Sequence, residues 1–341
     1  MTDKKLTVVI PMAGWGARLR PHTWSKPKPL VSVAGQTVLD HIIDVIATAT
    51  DLNNCRFACI LGYHGDKIKA HMAAHYPEVE AHYFVQEEML GQTHAISMAR
   101  SVIQGPTIVL FSDTIVQDDL SFLLDPAENP EGVIWVKKVE DPRRFGVVSV
   151  GADGFVSDII EKPDSFDNNL AVVGYYYFAS GEALMAAIDQ QLNDKMITKG
   201  EYYLADAIKL MMEKGLKLQP KPVDIWLDAG LPETVLSTNR FLLENSTGTE
   251  TTVKLSKGVK IVPPVFIHPD AEITASVIGP YASIGSGCKI SDSKVENSVI
   301  EEDSAIQTSH LRDSLVGARV QINGARGKLI IGDDSTFEAS E

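Results

Sequence analysis

From residue 6 to about 245, short apolar runs alternate with amphipathic segments, a pattern that predicts strands separated by helices. "LTVVIPM" is continuously apolar and rich in β-branched residues, as a parallel strand covered on both faces should be. Val38, Leu39, Ile42, Ile43 and Ile46 then fall at helical spacing. The pattern repeats: "RFACILGY" before "GDKIKAHMAAHY", "AHYFVQ" before "GQTHAISMARSV", and "PTIVLFSD" before a polar turn. This order implies right-handed crossovers and an α/β fold, an open Rossmann-like mixed sheet with helices on both faces. Such sheets bind ligands beyond the C-terminal ends of their strands, where strand order reverses, so the loop after the first strand and Asp113 are both expected there. Further along, the pattern predicts a hairpin at "VVSVGADGFVSDI", a strand at "AVVGYYYF", and helices at "GEALMAAIDQQL" and "YLADAIKLMMEKG". A last strand, "VDIWLDAG", leads into the helix "PETVLSTNRFLLE". Tyr175, Tyr176 and Tyr177 alternate across their strand, so at least one belongs to the core.

The character then changes. Residues 246–258, "STGTETTVKLSKG", are polar and turn-rich and read as a linker. Beyond them aliphatic residues recur every five or six positions, from Ile267, Ile273 and Ile278 to Val316 and Ile322. Neither helix nor ordinary strand has that period. Each apolar residue fits one corner of a triangular coil, which predicts a short left-handed parallel β-helix of about three or four coils. The expected domains are therefore a catalytic domain at 1–245, the linker, and a coil domain at 259–341. A chain ending at Glu244 is expected to keep detectable chemistry while losing stability and self-association.

Charge changes the picture most in one place. The chain carries 45 acidic and 31 basic side chains, a formal charge of -14, which disfavours nucleic acid and anionic lipid as partners. Yet no carboxylate occurs between Asp3 and Asp40. That gap holds "VIPMAGWGARLRPHTWSKPKPL", in which Arg18, Arg20, Lys26 and Lys28 share a loop with two glycines and four prolines. A cationic segment free of internal neutralisation in an acidic chain points to a bound multivalent anion. No signal peptide and no apolar run of roughly 18 residues is present, and three cysteines without disulfide or zinc spacing suit reduced, packed thiols. The expected location is the cytoplasm, with no membrane partner.

Gly14 and Gly16 after a buried strand let backbone amides approach a phosphate without a Cβ in the way. The loop is not a Walker motif, because no Gly-Lys-Ser/Thr follows, and not the dinucleotide fingerprint, because Arg18 and Leu19 stand where a third glycine would be. Arg18 can fork onto phosphate oxygens, and Lys28, between two prolines, offers a point charge on a stiffened backbone.

"AGWGARLRPHTWSKPKPL" resembles the signature of the nucleoside-diphosphate-sugar pyrophosphorylases, the sugar-1-phosphate nucleotidylyltransferases. "VQEEMLGQTHA" looks like their base-reading segment, "LFSD" their first metal aspartate, "FGVV" and "IIEKP" their sugar-binding pieces, and "WLDAG" their second aspartate. The coil sequence is similar to the tail of long-form glucose-1-phosphate thymidylyltransferases. Two departures stand out: Ala13 and Ala17 replace a glycine and a hydroxyl residue usual in the family, and Lys199 stands where relatives often carry arginine.

The resemblance implies transfer of a nucleotidyl group from a nucleoside triphosphate to a sugar 1-phosphate, with release of pyrophosphate. Arg18 and Lys28 would be catalytic. Ala13, Gly14, Gly16, Gln86 and Gly91 would bind the nucleotide, and Gly146, Glu161, Lys162, Val172 and Lys199 the sugar phosphate. Asp113 and Asp228 would hold Mg²⁺. A glutamine amide at Gln86 suits the polar edge of a pyrimidine, so dTTP or UTP with glucose 1-phosphate is expected, in a homo-oligomer. The alternatives are a mannose-1-phosphate guanylyltransferase, a hexapeptide-repeat acyltransferase using His268 or His310, and a catalytically silent regulatory homologue.

Overall fold

The computed structural model describes residues 5–125, 127–246 and 258–339. They form two compact units, Met1–Gly14 with Ile42–Trp226, and Trp15–His41 with Leu227–Glu341. Residues 247–257 of the expected linker lie outside the described residues.

The first unit is built on a nine-stranded sheet. Its strands are β1 (Leu6–Met12), β2 (Cys55–Leu61), β3 (Glu80–Val85), β4 (Thr107–Leu110), β5 (Gly132–Lys138), β6 (Gly146–Val150), β7 (Val156–Glu161), β8 (Leu170–Phe178) and β9 (Leu218–Pro222). The main path runs β7-β6-β8-β4-β1-β2-β3, with β5 pairing β8 and β9 pairing β5. The pairs β1–β2, β1–β4 and β2–β3 are parallel, while β8 runs antiparallel to β4, β5 and β6. Helices α1 (Val38–Ala47), α2 (Gly65–His75), α3 (Gln92–Met98), α4 (Gly181–Asn193) and α5 (Leu204–Glu213) fall where the apolar periodicity places them. Tyr175, Tyr176 and Tyr177 are all buried, because β8 is covered on both faces.

Two strands, β5 and β9, go beyond the sequence reading. In β9, "LQPKP", two prolines mask the signal; they are tolerated because β9 pairs only with β5, so its outer side has no ladder to serve. The chain passes from β3 to β4 across β1, and strand order therefore reverses between β1 and β4. Ala13 follows the first of these strands directly, and Asp113 lies three residues past the second.

In the second unit three parallel sheets of five short strands each stack into a β-helix. That is five rungs rather than three or four; the outermost rungs, at Lys260–Ile261 and Thr336–Glu338 among others, carry fewer of the periodic aliphatics. Ile273, Ile290, Ile306 and Ile322 stand in one column, and Ile267, Ile284, Ile300 and Val316 in another, all buried. Buried serines support the corners. Ser293 N donates to Ser276 Oγ, Ser309 N to Ser293 Oγ and Ala325 N to Ser309 Oγ, each at 3.0 Å, so each coil satisfies a backbone N–H of the next. Helix α6 (Pro232–Asn245) belongs to this unit. Among the described residues no helix is long and apolar enough to cross a membrane.

Candidate active site

In the first unit the predicted nucleotide residues gather at the strand ends. Ala13 is buried, and a Cβ on Gly62 would lie 2.4 Å from Ala13 O, so β1 and β2 run on past their last pair in close contact. Gln86 follows β3, is buried, and its backbone N donates to Leu61 O at 2.9 Å. Its Nε2 donates to Gly91 O at 3.3 Å and lies 3.1 Å from His94 Nδ1. Those bonds commit the amide NH₂ and leave the amide oxygen as the group Gln86 can offer to a base N–H. Gly91 has φ +116°, and a Cβ there would lie 2.5 Å from Tyr202 N, so any side chain would strike the neighbouring backbone. His94 and Tyr202 complete this corner and were not anticipated. Gly14 faces open space, which suits approach of a ligand to its backbone.

The residues predicted for the sugar phosphate also converge. Gly146 opens β6 opposite Glu161, the last residue of β7. A Cβ on Gly146 would sit 3.0 Å from Glu161 Oε2 and 3.7 Å from Val172 Cγ2, so the three enclose one small space. Val172 marks the start of a register break in β8, which Gly174 makes possible at φ +91°. Burial pushes the Glu161 carboxyl up, against the pull of Lys162, with Asp206 and Glu201 adding to the rise. Lys162 Nζ donates to the Tyr203 hydroxyl at 2.7 Å and lies 4.7 Å from the centre of its ring. Burial opposes the charge on Lys162, but Tyr203, Glu161 and Glu201 more than offset it, and the ammonium sits above the usual lysine range. Lys199 Nζ donates to Lys162 O at 2.7 Å and reaches Asp164 at 3.2 Å. Tyr203 escaped the sequence reading; its only signal was its place in "KGEYYLAD". Asp113 is half-buried in the turn after β4, with the Thr114 hydroxyl 3.4 Å from its Oδ1.

In the second unit the basic segment folds as three single 3₁₀ turns, Ala17–Leu19, His22–Trp24 and Lys28–Leu30. Gly16 has φ +59°, and its carbonyl accepts from Thr23 Oγ1 at 2.8 Å. Arg18 is exposed on the first turn, and Lys28, half-buried, opens the third. A Cβ on Gly230 would meet Asp228 Oδ1 at 2.7 Å and Lys28 Nζ at 3.4 Å. A lysine and an aspartate 200 residues apart thus flank one glycine, which must lack a side chain for both to stand there. Gly230 N donates to Asp228 Oδ1 at 2.7 Å and orients the carboxylate, while Thr238 Oγ1 of α6 donates to the backbone carbonyl of Asp228 at 2.9 Å and fixes the main chain beneath it.

Behind this segment lies a buried charge cluster that the sequence reading missed. Lys26, 7% exposed, pairs with Glu301, 2% exposed, and with Asp333 at 3.4 Å. Burial opposes the charge on Lys26, and Glu301 and Asp333 outweigh it, holding the ammonium above its usual range. Burial and Lys26 together push the enclosed His22 imidazole down to about 4.

Residues 7–245 match the Nucleotidyl transferase family. The low-salt glycan biosynthesis nucleotidyltransferase Agl11 of Haloferax volcanii is 30% identical over 368 residues, covering 97% of this chain and 99% of its own. A glucose-1-phosphate thymidylyltransferase of Streptomyces antibioticus is also 30% identical, covering 95% of this chain and 97% of its own. The solved structure of a UDP-glucose pyrophosphorylase complexed with UDP-glucose shares the fold, with a TM-score of 0.59 at 18% identity, over 71% of this chain and 100% of that one.

Proposed function

As a member of the nucleotidyl transferase family the chain is a sugar-1-phosphate nucleotidyltransferase, and we propose that it joins dTTP or UTP to glucose 1-phosphate. The observation that carries the chemistry is the meeting of Lys28 and Asp228 at Gly230. A cation and a carboxylate 200 residues apart in sequence stand beside one glycine, and reacting phosphates need both kinds of group.

In the proposed reaction an oxygen of the sugar phosphate attacks the α-phosphorus of the triphosphate, the new P–O bond forms, and the bond to pyrophosphate breaks. Both reactants are polyanions, and two unit charges 4 Å apart repel by about 4 kcal/mol at an effective dielectric near 20. Lys28 offsets that repulsion at the reacting phosphates, and Arg18 binds the leaving pyrophosphate. No general base is needed, since a phosphate monoester is ionised at neutral pH. Gly14, Gly16 and Ala13 offer backbone to the triphosphate. Lys162, and Lys199 bound to its carbonyl, receive the sugar phosphate, while Glu161 accepts hydrogen bonds from hexose hydroxyls beside the backbone of Gly146 and Val172.

Among the described residues no three His, Cys, Asp or Glu gather into an all-protein metal cage. A cation that keeps phosphate oxygens and water in its shell needs only one or two aspartates from the protein. Asp113 and Asp228 are the residues proposed to hold Mg²⁺, which when bound supplies charge neutralisation at the phosphates.

For the base, the Gln86 oxygen suits the N3–H of a pyrimidine, and a purine places a different edge there. The similarity to the Streptomyces antibioticus thymidylyltransferase supports glucose 1-phosphate as acceptor. The proposed location is the cytoplasm, which suits three buried free cysteines, and the proposed state is a homo-oligomer. The test is pyrophosphate release from dTTP, UTP, GTP, ATP and CTP against a panel of sugar 1-phosphates. Preference for GTP with mannose 1-phosphate overturns the substrate pair and keeps the reaction class; no release with any pair overturns both.

A further inference from the structure

The segment Lys26–Ser32 carries Lys28; it holds one 3₁₀ turn, Lys28–Leu30, and only its last residue enters a strand, the short pair of Ser32–Val33 with Gln36–Thr37. Its two ends meet at a single side chain. Glu301 Oε2 takes the Lys26 ammonium, and Glu301 Oε1 accepts from Ser32 N at 3.2 Å. Between them, Val31 N donates to Lys28 O at 3.1 Å, and Pro27 and Pro29 lock the φ angles on either side of Lys28. Two rungs along the coil, Asp333 accepts from Ser25 Oγ at 2.7 Å, lies 3.4 Å from Lys26 Nζ, and is fixed in turn by Ala318 N at 3.0 Å.

Glu301 is also out of place in its own repeat. Backbone bonds from His268 N to Ile284 O, Gly285 N to Ile300 O, Glu301 N to Val316 O and Gly317 N to Ile331 O put His268, Gly285, Glu301, Gly317 and Gly332 in one column of the coil. Glycine precedes and follows it, and at this corner alone the column carries a buried carboxylate. A buried ion pair is a poor source of stability, because apolar side chains of similar volume serve as well or better. Its presence calls for another role.

We propose that Glu301, supported by Asp333, is a positioning residue for the transfer reaction: the coil clamps both ends of Lys26–Ser32 and thereby sets Lys28 at the reacting phosphates. The β-helix is then part of the catalytic apparatus and not an appended module. This rests on the nucleotidyl-transfer reading for its kinetic consequences, while the clamp itself is a statement about the segment's order.

The test uses the full-length chain with Glu301→Gln, and with the pair Lys26→Met and Glu301→Leu, which removes both charges and keeps the corner packed. In both, kcat for pyrophosphate release is expected to fall about 10²-fold while the triphosphate KM changes little, since displacement of a reacting group by about an ångström costs that much. Hydrogen exchange should show lost protection at Lys28, Leu30, Val31 and Ser32, with the coil amides still protected. In a Lys28→Ala background Glu301→Gln should cost nothing further, whereas mere destabilisation would lower activity in either background. Wild-type kcat in a chain whose Lys28→Ala variant is inactive overturns the inference and leaves the reaction intact. Absence of nucleotidyl transfer in the wild type overturns the reaction, and the exchange measurement then decides the clamp by itself: unchanged protection at 28–32 refutes it.

Discussion

The proposed sugar site and the basic segment solve the same problem with different materials. Gly146, Glu161 and Val172 stand on three strands of one sheet, so ladder hydrogen bonds hold them in register and glycine at 146 provides the space. Arg18 and Lys28 stand on isolated 3₁₀ turns with no ladder, and their segment is held by side chains 270 or more residues away, Glu301 and Asp333. Regular structure makes a site rigid cheaply but limits where a side chain can point. An irregular loop can present backbone amides and cations to a phosphate, provided something else removes its freedom, and here buried charge does so.

The largest expected effect breaks the second half of that comparison. Truncation after Glu244, which sequence alone suggests should spare the chemistry, removes Glu301 and Asp333 and should abolish pyrophosphate release while circular dichroism still reports the helices of the sheet unit. Activity surviving that truncation would show that the loop orders itself. Next in size, Lys28→Ala should lower kcat by about 10³-fold with little change in melting temperature, a loss typical of removing a charge aimed at the transition state; steady-state kinetics with dTTP and glucose 1-phosphate check it.

Glu161→Gln probes the sheet-borne half. It should raise the KM for sugar 1-phosphate by about tenfold, because a carboxylate acceptor is replaced by a weaker neutral one, and leave the KM for triphosphate unchanged. The sign of its pH effect follows from the raised carboxyl. The ionised form is lost at a higher pH than in an ordinary glutamate, so sugar affinity should fall early on acidification. A carboxyl raised on folding contributes stability below its unfolded value and loses it as pH rises through the folded value. At neutral pH, therefore, Glu161→Gln should melt slightly higher than wild type while binding sugar worse, which a thermal melt and a KM determination at pH 5 and 8 would establish. The smallest effect lies away from both sites. Ser309→Ala strands the backbone N–H of Ala325 in the coil and should cost about 1 to 3 kcal/mol in denaturant unfolding, with kcat unchanged.

Local pattern was enough to read the sheet strands from "LTVVIPM" to "AVVGYYYF" except β5, the helices between them and the aliphatic period of the coil, because burial imposes a period of two, of 3.6 or of one coil side directly on the order of residues. The basic segment was legible for a related reason: a carboxylate-free stretch in an acidic chain is a property of neighbours in sequence. What could not be read was every arrangement made by residues far apart. Strand β9 hides behind prolines that only an edge position tolerates, Tyr203 becomes a partner of Lys162 only when α5 meets the end of β7, and the coil's five rungs read as three or four because its outer turns carry fewer aliphatics. Glu301 is the clearest case. In one dimension it is one of three consecutive acidic residues, Glu301, Glu302 and Asp303, the mark of a solvated turn. Stacking puts it between Gly285 and Gly317 and beside Lys26, and a charge at 2% exposure acquires its meaning from the opposite charge that folding brings to it.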